Sequence, residues 1–374
     1  MLTNDQQYIL ALCRKSIHLC TPIDVQPEDV GYVEKVIRQS GILLTVYGVL
    51  PEELKKDLFM QYTISVRQSV LQEYEGEKVM NALSTAGMDC IALKGWEMRK
   101  LYPNMTMRQM ADLDVLVRPY RFGRIKTIMQ QLGFSCGSES SWKHDSFRKG
   151  EVHVEMHKRL TDDSSEIQKW ECEMWSRAVP TEGSVYKMSP EDYYVFHFVH
   201  LHKDFMNGSL GLRRIVDTWL LQKQERDMDA VRRDLEMFGL WTFHERMVAL
   251  SRAAMGDAPI DENSEILLAH AFRHGIYGSE VSYKAGRIAA MGTDLKSGKR
   301  NSAINAVFLP YKRMKAQFPV LEKWPILLPW CWLKRIIHFL RGDRKKSRER
   351  LNYSKIGEED FEEMKRFFEA GGVR

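Results

Sequence analysis

The chain has 374 residues, enough for a large core and, by length alone, for about two domains. Its composition, 44% hydrophobic and 28% charged, is that of an ordinary globular protein, and no apolar run is long enough to span a bilayer. The net charge of +5 is concentrated in residues 334–350, where eight Lys/Arg face two acids, so the rest is near neutral and no DNA or RNA partner is expected.

The N-terminus lacks a basic stretch followed by a continuous apolar one, so no secretory leader is expected. Residues 4–75 read as helix: DQQYILALCRKSI and VGYVEKVIRQSGILLTVYGVL space their apolar residues three and four apart. A helix over about 76–86 stops at Gly87, a natural C-cap. The pattern then changes. MDCIALKG reads as a short apolar strand closing on Lys94 and Gly95, and WEMRKLYP as a short helix ended by Pro103. NMTMRQM is a loop, and ADLDVLV, residues 111–117, is a second strand. PYRFGRIKTIMQQLGF is an amphipathic helix, with Phe122, Ile125, Ile128, Met129 and Leu132 at helical spacing. EVHVEMH, residues 151–157, alternates as a third strand.

From 186 to 300 the chain reads as helix again, opening on Ser-Pro-Glu-Asp with Pro at the first helical position. The tail, 301–374, holds Trp- and Pro-rich apolar stretches, then basic and acidic helices. The segment 324–341, WPILLPWCWLKRIIHFLR, admits two readings: core packing, or peripheral contact with a membrane through 324–350. The organisation expected is an N-terminal helical segment (1–75), an α/β core (76–185), a helical domain (186–300) and a C-terminal helical tail (301–374). Cys13, Cys20, Cys90, Cys136, Cys172 and Cys331 form no CxxC pair and fit no zinc template, as for reduced thiols in the cytoplasm.

One pair of residues sits oddly in this pattern. Asp112 and Asp114 flank Leu113 in an otherwise apolar strand, and a period of two points both carboxylates the same way. Burying like charges together is costly unless something positive joins them. In VHVEMH, His153, Glu155 and His157 share the face opposite Val152, Val154 and Met156. If the two strands are neighbours, Glu155 completes a carboxylate cluster suited to a hard divalent cation, Mg²⁺ or Mn²⁺. Lys94 and Arg108 are placed in sequence to reach a triphosphate, and Gly95 would let a phosphate approach the backbone. Arg108 has a competing use, an ion pair with one of these aspartates. His200, Lys203, Arg213 and Asp217 form a second polar group with possible substrate contact, as has His157; Arg213 and Asp217, four apart, could instead pair with each other.

Taken together, ALKG, LYP, the following Arg, ADLDVLV and VHVEMHKRL resemble the bacterial uncharacterised nucleotidyltransferase family, a branch of the polymerase-beta-type superfamily. HLHKDFMNGSLGLRRIVDTWLL extends the similarity, which covers about residues 80–222. The resemblance implies an α+β fold, a small mixed-sheet core flanked by helical segments. It implies Asp112, Asp114 and Glu155 as catalytic metal ligands, with Lys94 and Gly95 at the phosphate-proximal turn. The implied reaction moves an NMP from an NTP to a hydroxyl of an acceptor: a small molecule, a sugar, or a protein or peptide. Where the superfamily carries Ser or Gly after the turn glycine, this chain has Trp96. Two other functions use parts of the same pattern: an Asp-x-Asp glycosyltransferase acting on a nucleotide-sugar, and a degenerate nucleotide-binding scaffold.

Overall fold

The computed structural model describes residues 1–374 except 19–20, 119–122, 138–143, 161–164, 293, 310, 312–313, 316–317, 319, 342–352, 354 and 374. Phe122, Cys20 and the basic run 342–350 therefore lie outside the described residues. The chain divides into two compact units: Met1–Phe205 with Leu210–Tyr277 and Ala370–Val373, and Met206–Ser209 with Gly278–Glu369 and Arg374.

The first unit opens with helices α1 (Asn4–His18), α2 (Val30–Gln39), α3 (Leu43–Val46) and α4 (Glu52–Thr85). The helix expected over 76–86 is only the last part of α4, a single helix of 34 residues. Its final turns are apolar on one side: Val79, Met80 and Leu83 are buried against the sheet. Next come β1 (Cys90–Ala92), α5 (Gly95–Met98), β2 (Leu113–Val117), α6 (Ile125–Gln131), β3 (Ser135–Cys136), β4 (His144–Lys149) and β5 (Val152–His157). After α7 (Ser165–Arg177), a short hairpin follows, β6 (Val179–Pro180) and β7 (Val185–Lys187). Helices α8 (Pro190–Met206), α9 (Leu212–Gln222), α10 (Met228–Met237), α11 (Trp241–Met255) and α12 (Glu262–His274) complete the run.

Among the described residues seven strands form one mixed sheet in the order β3-β4-β5-β2-β1-β7-β6. β2 lies at its centre, antiparallel to β1 and parallel to β5. Its register sets Leu113 against Val154, Asp114 against Glu155 and Val115 against Met156. Alternation then separates the two sides of the sheet. Leu113, Val115 and Val117 join Val152, Val154 and Met156 in the core under α4 and α6. Asp114, Glu155 and His157 occupy the other side. The mixed sheet flanked by helices is the α+β architecture the sequence implied.

The second unit is helical in its described residues, with α13 (Glu280–Ala289), α14 (Leu295–Val307) and the helices Val320–Lys323, Leu328–Arg341 and Glu358–Ala370. Ser279 and Ser282 close a capping box at the start of α13. Met314, Leu321 and Cys331 form a small buried cluster within this unit.

Candidate active site

The turn between β1 and α5 is unusual. Lys94 takes φ 46° and ψ −117°, the dihedrals of the first central position of a type II′ turn, where glycine is customary. The backbone N–H of Trp96 closes the turn on the Leu93 carbonyl at 3.2 Å. Among the described residues Lys94 is the one non-glycine with positive φ. Such a conformation costs roughly 1–3 kcal/mol and persists when surrounding contacts fix it. The Leu93 N–H donates to the Asp114 carbonyl at 2.9 Å, extending the strand pairing up to the turn, and the Tyr193 hydroxyl donates to the Lys94 carbonyl at 2.9 Å.

This turn delivers the Lys94 ammonium to Asp114, 2.7 Å from Oδ1. His157 Nε2 lies 2.7 Å from the same oxygen and 3.4 Å from Glu155 Oε2. The positive partners of the buried aspartate are thus a lysine and a histidine of this chain. Burial pushes the Asp114 carboxyl up, but Lys94 and His157 hold it far below the usual carboxylate range. Burial likewise acts to lower His157, and its bonds to Asp114 and Glu155 win, raising it. The His157 bond holds Glu155 down, so Glu155 is ionised at neutral pH. Asp112, at the lip of β2, is only half buried, yet burial and then the Asp114 charge raise its pKa. An oxygen of Asp112, one of Glu155 and a ring nitrogen of His153 all lie within 4.8 Å of one another. His144, Glu155 and His157 make a second such group.

A second polar cluster lies behind the turn. Arg108 donates from Nε and Nη2 to the two oxygens of Asp217, both at 2.8 Å, and the Tyr102 hydroxyl donates to Asp217 at 2.8 Å. Arg108 is therefore committed to Asp217 rather than to Asp112 or Asp114. Nor do Arg213 and Asp217 pair as a simple i, i+4 couple; Arg213 donates to the Gln109 carbonyl at 2.7 Å. Burial pushes Asp217 up, but the Arg108 charge and hydrogen bonds hold it down at about 2. Burial, then the charges of Arg108 and Arg214, bring Arg213 down to about 10. Gly95 has a packing reason to be glycine. A Cβ there would lie 2.6 Å from Arg108 Nη1 and 2.9 Å from the Met110 side chain. Trp96 has its own socket, the bare α-carbon of Gly76 on α4, where a Cβ would fall 2.1 Å from the indole.

His200 is held neutral, its pKa pushed well below the ordinary value by burial and then by the Lys94 charge. Its Nδ1 lies 3.4 Å from Asp204, which also takes Arg214. Lys203 is exposed on α8. A cavity of about 20 Å³ lined by Lys94, Arg108, Tyr193, His200 and Arg214 has room for about one water, so a nucleotide would need the open side of the carboxylates. Tyr193, Tyr102 and His153 were not assigned from sequence. His153 was legible by alternation on β5; the tyrosines carry no local signal.

The model of the uncharacterised nucleotidyltransferase family matches residues 25–256, more than half the chain and all seven described strands. Among solved structures, the solution structure of the antibiotic-resistance factor ANT(2'')-Ia is 15% identical, covers 50% of this chain and 91% of that one, and has a TM-score of 0.31. No curated protein matches the chain.

Proposed function

The chain therefore belongs to the uncharacterised nucleotidyltransferase family, and from that premise we propose that it moves a nucleoside monophosphate from an NTP to an acceptor hydroxyl, using Mg²⁺ or Mn²⁺. The acceptor is a small molecule, a sugar, or a protein or peptide. The observation that carries the reading is the parallel pairing of β2 with β5, which sets Asp114 against Glu155 on the side of the sheet away from the core.

The donor set fits a divalent cation. Ligands about 2.0–2.2 Å from one ion lie no more than about 4.4 Å apart, and the donor atoms of Asp112, Glu155 and His153 lie within 4.8 Å of one another. Asp112 and Glu155 would hold the ion, with His153 beside them and Asp114 anchored behind. Burial and then the Asp114 charge raise the Asp112 pKa, a shift that a bound cation would oppose. Bound there, the cation would neutralise phosphate oxygens and ease the departure of pyrophosphate. Glu155, ionised at neutral pH, accepts the acceptor's hydroxyl proton. The acceptor oxygen then bonds to the α-phosphorus as the bond to pyrophosphate breaks. Lys94 fixes Asp114, and His157 fixes the orientation of Asp114 and Glu155 together.

Calorimetric titration of ATP, GTP, CTP and UTP, with and without Mg²⁺, tests this on the wild type and Asp112→Asn. Mg²⁺-dependent binding of at least one NTP is expected, weakened roughly tenfold or more in the variant, with the circular dichroism unchanged. Equal binding by the variant sinks the assignment. Asp112 is the residue to change, because Asp114→Asn would strand the Lys94 ammonium in a buried site and confuse loss of fold with loss of chemistry.

A further inference from the structure

We propose that the helix Leu328–Arg341 and the turn before it form a docking surface for an anionic phospholipid bilayer. The helix has an inner and an outer face. On the inner face Cys331 is fully buried with Met314 and Leu321. Trp332 belongs to the same side: its indole N–H donates to the Leu309 carbonyl at 3.0 Å, and its ring meets Phe308 edge-on with centroids 5.5 Å apart.

Among the described residues the outer face shows no such packing. Trp324, Ile326, Trp330, Leu333 and Ile337 are 61%, 84%, 49%, 54% and 38% exposed. Positions 330, 333 and 337 recur at helical spacing, so their side chains form one stripe, and Trp324 and Ile326 precede it. Single exposed apolar residues need no explanation; exposed apolar residues repeated along one helix face do.

Its chemistry selects the occupant. Tryptophan favours the headgroup level of a bilayer, where its ring meets hydrocarbon and its N–H meets water and phosphate. Lys334 stands over the Trp330 ring, 3.9 Å from the centroid, at the border of the stripe. Residues 334–350 carry eight Lys/Arg against two acids. Apolar side chains bordered by basic ones complement acyl chains bordered by anionic phosphates. With 14 residues the helix is about 21 Å long, short of the ~30 Å hydrocarbon core, so it would lie in the interface plane rather than cross. Among the described residues no helix is long and apolar enough to cross a membrane.

The experiment is co-sedimentation of the full chain with vesicles of phosphatidylcholine alone and of phosphatidylcholine mixed with phosphatidylglycerol, without nucleotide. Binding to the mixed vesicles only, weakened by salt, is expected. Trp324→Ser/Trp330→Ser/Leu333→Ser should abolish it. Lys334→Glu, which leaves the apolar stripe intact, should weaken it roughly tenfold. Circular dichroism of both variants guards against misfolding, and the charge variant keeps the test valid if the first fails to fold. Failure to sediment, equal binding to both vesicles, or binding indifferent to the charge variant overturns the proposal. So does self-association without lipid that the apolar variant removes, which would make the stripe an interface between copies. The outcome is independent of the catalytic reading: Asp112→Asn should bind vesicles as the wild type does.

Discussion

Asp217→Asn is the substitution with the largest expected effect on stability. The side chain is fully buried, and its two oxygens take the Arg108 guanidinium at 2.8 Å from each of two nitrogens, with the Tyr102 hydroxyl also at 2.8 Å. Asparagine keeps the shape and removes the charge. That leaves the Arg108 cation buried without a counter-ion, beside an Arg213 already down at about 10. Breaking one side of a buried pair costs about 3–5 kcal/mol, a large share of a typical total of about 5–15 kcal/mol. Replacing both partners by apolar residues of similar volume, Arg108→Met/Asp217→Leu, strands no charge and should cost much less than the sum of its single variants. Urea unfolding of the four proteins, followed by circular dichroism and fluorescence, gives the comparison. A loss below about 1 kcal/mol for Asp217→Asn, or a double variant as damaged as the sum, would refute the reasoning. Preserved stability with weakened nucleotide binding would instead return Arg108 to a phosphate.

The same pair has an acid limit. The Asp217 pKa is lowered to about 2 from an unfolded value near 3.9, so its contribution is complete above about pH 4 and fades as pH falls through 2; Asp217→Asn should lose that part of the acid-unfolding profile. His157 runs the other way. Its raised pKa makes its contribution complete below about pH 6.5 and lost as pH rises through the folded value, so His157→Gln should flatten stability against pH on the alkaline side. Gly76→Ala should destabilise by roughly 1–3 kcal/mol despite alanine's better helix propensity, and Gly76→Ala/Trp96→Leu should recover much of it in the same urea assay. Lys94→Gly and Lys94→Ala both lose the ammonium, so their difference reads the backbone alone; glycine should be the more stable by about 1 kcal/mol or more, and equality would mean the turn is not strained.

Local patterns were readable in the sequence and long-range partners were not. ADLDVLV and VHVEMH declared themselves as strands because alternation is a property of neighbouring residues, but that they pair was only a condition in the sequence reading and is set by the structure. The edge strands β3 and β6, two residues each, are too short to show a period. The hairpin with β7 gave no signal of its parallel pairing with β1. Arg108 and Asp217 stand 109 positions apart, and no local spacing could join them. The Lys94 turn was placed correctly at the strand end, but a lysine gives no hint of a positive φ. Gly95 and Trp96 read as a phosphate-binding glycine and a departure from the superfamily. Their packing reasons, Arg108 and Gly76, come from distant segments.

The length of α4 bears on how the molecule can move. One uninterrupted helix of 34 residues, about 51 Å, touches α2 and α3 along its course and α6, β1 and β5 as well. The N-terminal helices and the sheet are thus mounted on a common shaft. Swinging one against the other would require breaking backbone hydrogen bonds inside that shaft, which holds no proline to hinge on. Any closure over a bound nucleotide must then come from segments off the shaft. The tendency of the two regions to unfold together should make hydrogen exchange along the middle of α4 among the slowest in this unit.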